Sequence, residues 1–271
     1  CEKVTNYNNA LNLFMGFLFI LIFSIFIFIN SSFAQQKLID CNIKGCNSKF
    51  SFTSADLLDD IKGDKNLLIW LPGGPGMHTW DRTIGGLEKF RNYLHVINPY
   101  KIEAGNNLGP VPQAYGDDQP ARILSIVNWA ISKGYKIWIG GHSNGGVRVI
   151  GFLNKYPEIH KQINGAILSA TNACGGRGQS IPVRVGQVEW NTNILAIYHA
   201  GDTFPNTHPR CQKQMYEWIK VGGQYNKKLF EVKVTKGPQS EQLTDKGHHM
   251  YDYDREVHIQ AIHEFMKGNS K

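Results

Sequence analysis

Between residues 66 and 266, short apolar runs alternate with longer stretches in which apolar positions recur every three or four residues. The short runs are Leu67–Leu71, His95–Asn98, Lys136–Ile139, Gly165–Ser169, Ile194–Tyr198 and Leu229–Val234. Their length and near-continuous hydrophobicity predict strands of a parallel sheet covered by helices. Ala121–Ser132 carries Ile123, Leu124, Val127, Ala130 and Ile131 at helical spacing, and Val257, Ala261, Ile262 and Phe265 mark a C-terminal helix. Strand alternating with helix defines an α/β fold with a mostly parallel central sheet and helices on both faces. No repeat, low-complexity tract or linker divides this stretch, so residues 35–271 are read as one domain. Gln35–Asp64 has no clear period and is expected to supply edge strands.

One segment breaks the pattern. Leu13 to Ile29 is an almost unbroken run of Leu, Ile and Phe, interrupted by Gly16 and Ser24 and followed by the small residues Ser32 and Ala34. Small residues at those two positions fit a signal-peptidase cut, which predicts a signal peptide over residues 1–34 and a mature chain from Gln35 to Lys271. The expected location is then exported, secreted or periplasmic. The run is long for a cleaved segment and its only nearby cation is Lys3, so an uncleaved membrane anchor through residues 13–29 stays open. Cys1 is not an ordinary start residue, which leaves Met15, or a fragment, as the origin of the chain.

Composition narrows the classes. With 271 residues, 42% hydrophobic and 19% charged, the chain is large enough to bury a full core and is neither disordered nor a small disulfide scaffold. The net charge of +7 admits an anionic partner. No block of like charges and no basic-aromatic stripe accompanies it, which argues against nucleic acid. Four of the cysteines, Cys41, Cys46, Cys174 and Cys211, follow the export segment, and an even number in an exported chain points to disulfides. Cys41 with Cys46 and Cys174 with Cys211 is the expected pairing, with free buried thiols as the alternative. The Cys-x4-Cys spacing beside two isolated cysteines does not fit zinc, and no metal is expected.

Candidate chemistry centres on Gly141-His142-Ser143-Asn144-Gly145, a G-x-S-x-G pentapeptide. Chance produces such pentapeptides, so the weight comes from context. The strand Lys136–Ile139 runs into it, and Gly146–Leu153 continues as helix. A serine in so tight a strand-to-helix turn needs strained backbone angles and close packing, which small residues at 141 and 145 permit. Its hydroxyl then stands clear of the sheet at a helix N-terminus, where the dipole favours negative charge. A glycine-rich nucleotide-binding turn is the bland alternative, but Gly-x-Gly-x-x-Gly is absent.

A serine needs a base, and the base needs something to orient it. Asp202 follows the strand Ile194–Tyr198, and His248, directly after Gly247, lies between the strand Leu229–Val234 and the last helix. The position after Gly165–Ser169 holds Thr171, Asn172 and Ala173 and no carboxylate, which strengthens Asp202 as the acid. His249 competes with its neighbour as base, whereas His142, His160, His199, His208, His258 and His263 read as surface or supporting histidines. Oxyanion stabilisation requires two backbone N–H groups. Asn144 is one candidate. The other is Gly73 or Gly74, in Leu71-Pro72-Gly73-Gly74-Pro75-Gly76 after the first strand.

From Leu67 to Met266 the chain resembles the α/β-hydrolase superfamily, on the elbow Gly141–Gly145, the glycine loop Gly73–Gly76, and Asp202 and His248 in the superfamily's Ser, Asp, His order. The glycine loop is similar to that of proline iminopeptidase-like members, which carry His where this chain has Pro72. Those members also carry a helical cap where this chain has only the short segment Ala170 to Asn193. The resemblance therefore implies an α/β-hydrolase fold without a large cap domain, and the hydrolase mechanism without the peptidase specificity. It implies a serine hydrolase acting on a small-molecule carboxylic ester through an acyl-enzyme, with no cofactor. A catalytically silent binding protein of the same fold, and a peptidase or amidase with the same triad, are the alternatives.

Overall fold

The structure, a computed structural model, describes residues 37–40, 49–52, 66–71, 73, 94–97, 118–174, 188–232 and 255–268. By its contacts the chain divides between Gln35 and Gln36, and every described element lies in the unit Gln36–Lys271. Residues 1–34, expected to be an export segment, and Cys41, Cys46, Gly74, His248 and His249 lie outside the described residues.

Strands β3 (Asn66–Leu71), β4 (Leu94–Ile97), β5 (Lys136–His142), β6 (Gly165–Ser169), β7 (Asn193–His199) and β8 (Lys227–Val232) form one sheet in the order β4-β3-β5-β6-β7-β8. Every pairing in it is parallel. The four described helices are α1 (Asp118–Ser132), α2 (Asn144–Lys155), α3 (Pro209–Trp218) and α4 (Arg255–Gly268), with a 3-10 turn at Pro157–Lys161. Crossovers of this length are what parallel neighbours require.

Alternation along the strands explains the two layers. Leu67, Ile69 and Leu71 of β3, with Ile137 and Ile139 of β5, pack in one apolar cluster with Ile126 of α1, Phe152 of α2 and Met215 of α3. Leu68, Trp70, Trp138, Ile167 and Ile197 point the other way and pack with Ile259, Ile262 and Phe265 of α4. Helices thus cover both faces, and the strands are apolar on both sides.

The N-terminal strands differ from expectation. Strands β1 (Lys37–Asp40) and β2 (Lys49–Phe52) pair antiparallel with each other as a separate two-stranded sheet rather than extending the main one. Cys174 and Cys211 are joined as a disulfide with Cα atoms 5.3 Å apart, an unstrained reach, so this predicted pairing is present. The absence of a cap concerns Ala170–Asn193, of which residues 175–187 lie outside the described residues. Among the described residues no helix is long and apolar enough to cross a membrane.

Candidate active site

Strand β5 ends at His142 and helix α2 begins at Asn144, leaving Ser143 as the single residue of the turn. Its backbone stands at φ 53° and ψ −118°, a conformation costly for any residue with a side chain. Packing enforces the turn. A Cβ on Gly141 would lie 2.5 Å from the carbonyl oxygen of Gly145, and one on Gly146 would collide with the Thr171 hydroxyl. Gly146 is therefore as necessary as Gly141. Backbone bonds fix the turn further. Ser143 N donates to Ser169 O (2.9 Å), while Ser143 O accepts from Gly146 N (3.1 Å) and Asn172 N (3.2 Å). The Ser143 side chain makes no capping bond to α2, so its hydroxyl is not spent on the helix it precedes.

Gly73 sits against this turn. A Cβ there would lie 3.0 Å from His142 O and 3.0 Å from the Ser143 Cβ, so a side chain at this position would press the β3 loop away from the turn by a few tenths of an ångström. Asn144 opens α2, where backbone N–H groups lack intrahelical acceptors, and its side chain is held by Asn172 Nδ2 donating to its Oδ1 (2.9 Å). Gly73 and Asn144, two of the three expected oxyanion donors, thus flank Ser143.

Asp202 lies just beyond β7 and is 2% exposed. Its Oδ1 accepts from Phe204 N (2.8 Å) and its Oδ2 from the Thr207 hydroxyl (2.7 Å), which fixes the plane of the carboxylate. The acid loop is tied to the elbow through the segment after β6. Ala173 N donates to Asn206 O (2.9 Å), and the buried Gln212 amide donates to Thr207 O (3.1 Å) and to Thr171 O. The Cys174–Cys211 disulfide closes the same junction.

The remaining histidines divide by burial. His208 is exposed and His263 half-buried, but His142, His160, His199 and His258 are all buried. His142 Nδ1 lies 3.1 Å from Ser169 Oγ, which lies 3.0 Å from His258 Nε2. Ser169 has no exposure in its strand, so this hydrogen-bonded group is buried beside the elbow. Burial holds the His258 imidazole down at about 4, and it is neutral at physiological pH. Sequence periodicity gave no signal for this string, because its members come from three separate elements. Among the described residues no group of three or more His, Cys, Asp or Glu is placed to hold a metal ion.

No protein-family model matches the chain, and no curated protein matches it in sequence. Solved structures do match in shape. Est1E from Butyrivibrio proteoclasticus, in a structure with ferulic acid bound, aligns at TM-score 0.61 and 16% identity over 86% of this chain and 98% of its own. XC6422 from Xanthomonas campestris, an α/β serine hydrolase without a lid, aligns at TM-score 0.59 and 12% identity over 88% and 95%. A thermophilic esterase from Thermogutta terrifontis aligns at TM-score 0.53 and 15% identity over 88% and 100%. The chain has the α/β-hydrolase fold.

Proposed function

We propose that this protein is a serine hydrolase of carboxylic esters that works through an acyl-enzyme. The observation that carries the reading is Ser143. It is held in a strained strand-to-helix turn at a helix N-terminus, with its hydroxyl uncommitted and Gly73 packed beside it. A fold does not retain such a conformation without compensation, and strain of this kind concentrates where a side chain must be presented. In this reading Ser143 attacks the ester carbonyl, and His248 accepts its proton and returns it to the leaving alcohol. Asp202 holds the imidazole, and Asn144 with Gly73 or Gly74 receives the oxyanion. Water attacks the acyl-enzyme in the second half. The esterase and lidless serine hydrolase among the structural neighbours favour an ester substrate and an open site. Export of the chain is part of the same proposal, supported by the Cys174–Cys211 disulfide and the apolar run at residues 13–29.

The test is covalent labelling. A fluorophosphonate probe should modify the wild-type protein at Ser143, and Ser143→Ala should abolish both labelling and hydrolysis of p-nitrophenyl acetate. Equal labelling of the two proteins would remove Ser143 as nucleophile.

A further inference from the structure

Below the elbow the fold buries three polar side chains that the proposed chemistry does not use. His142, Ser169 and His258 are 3%, 0% and 0% exposed, and they come from the end of β5, the end of β6 and the first turns of α4. They lie at the edge of the apolar layer formed by Leu68, Trp70, Trp138 and Ile167. Placing them there is costly unless each is hydrogen-bonded and the arrangement contributes something that apolar residues would not. His258 Nδ1 has no hydrogen-bond partner among the described residues. A bare ring nitrogen costs less there than an orphaned N–H, which puts the His258 proton on Nε2. His258 Nε2–H then donates to Ser169 Oγ, which is also hydrogen-bonded to His142 Nδ1.

The string ends at the loop beside the nucleophile. A Cβ on Gly73 would lie 3.3 Å from His142 Cδ2, so the imidazole of His142 forms part of the floor on which the Gly73 loop rests. At the other end, His258 meets Trp70 of β3 edge to face, with ring centroids 6.2 Å apart. The Trp70 ring in turn lies across Gly140, where a Cβ would come within 2.7 Å of it. Trp70 is three residues before Gly73. The contacts therefore close a circuit from β3 through its own loop, the elbow, β6 and α4, and back to β3. Such a circuit fixes the height of the Gly73 loop over Ser143, because moving the His142 ring requires breaking a buried hydrogen bond.

We infer that His142, Ser169 and His258 are positioning residues that set the Gly73 backbone against the Ser143 elbow, and so the placement of the oxyanion site. This rests on the reading of Ser143 as nucleophile. They act through Gly73 and the turn.

Ser169→Ala removes the middle of the string with little change in volume. It should lower kcat for p-nitrophenyl acetate by about ten- to a hundred-fold, the range expected when a reacting group is displaced by a fraction of an ångström to one ångström, with KM within about two-fold of wild type. The rate of fluorophosphonate labelling should fall by the same factor. A conservative pair separates positioning from packing and stands in should Ser169→Ala fold poorly. His258→Gln keeps a nitrogen near the Nε2 position and should retain most of the kcat that His258→Leu loses. Wild-type kcat in a folded Ser169→Ala, or equal losses in His258→Gln and His258→Leu, would overturn this inference while leaving the nucleophile in place. A wild-type protein that neither labels nor turns over ester would overturn the nucleophile reading, and this inference with it.

Discussion

Thr207 shows what a single hydroxyl contributes to the acid. It is fully buried, and its Oγ1 donates to Asp202 Oδ2 at 2.7 Å. Thr207→Val is nearly isosteric but leaves that carboxylate oxygen one donor short. Hydrogen bonds to charged groups contribute about 1.5–3 kcal/mol, so a measurable fall in both unfolding free energy and kcat is expected. Thr207→Ser should recover most of both in denaturant titration and ester kinetics; a Val variant as active as wild type would show that the Thr207 hydroxyl is not needed to orient the carboxylate. His258 makes a different prediction at the same scale. Its folded-state value is depressed to about 4 against an ordinary value near 6.5, so between these limits the unfolded chain binds more protons than the folded one. Stability from this group is fully present above about pH 6.5 and is lost as pH falls toward 4, by roughly 3 kcal/mol in all. His160, lowered by the same desolvation, acts in the same direction. Denaturant titrations at pH 7.5 and pH 5 should show a drop in wild type that is smaller in His258→Gln. An equal drop in both would mean that His258 is not buried neutral.

At the scale of elements, the segment after β6 links the elbow to the acid loop, and the disulfide secures it. The bond closes a separation of 37 residues, for which chain entropy gives about 4 kcal/mol. Replacing both cysteines by serine should lower the melting temperature by about 10 °C. The activity that remains at 25 °C reports how far Gln212 and the Asn206 carbonyl hold the junction alone. An unchanged melting temperature would mean that the bond does not form in solution. The strands were legible because strands covered on both faces are apolar throughout. Their ends were less so: β5 extends past Ile139 to His142 because Gly140 and Gly141 interrupt the hydrophobic run without interrupting the strand. Helix α3 gave no apolar stripe, since its buried residues are Cys211, Gln212 and Met215 and the polar one is held by carbonyls from other loops. Strands β1 and β2 were too short, and too far from the main pattern, for their pairing to be read.

At the scale of the whole molecule, the candidate site gathers residues distant in sequence at the carboxyl ends of parallel strands, where an open α/β sheet exposes its loops. The motif singled out Ser143, which sits in the strand-to-helix turn, and chain order singled out Asp202, which lies just beyond β7. The supporting string was not legible, because only the fold brings residues 142, 169 and 258 together. The base is chosen between His248 and His249, which lie outside the described residues, and a paired measurement decides it. Adjacent side chains diverge from the backbone, so only one of the two rings can face Ser143. The base must be neutral to accept the serine proton, so the ester rate of the wild type should fall as pH drops through an apparent value near 6.5, displaced by whatever charge Asp202 presents. His248→Ala should lower kcat by several orders of magnitude, and the residual rate should lose that acid limb, whereas His249→Ala should keep most of the rate and the limb together. The reverse result would move the base by one residue and leave the mechanism standing. Little loss in either variant would mean that no histidine in this loop serves Ser143, and the triad reading would fall with it.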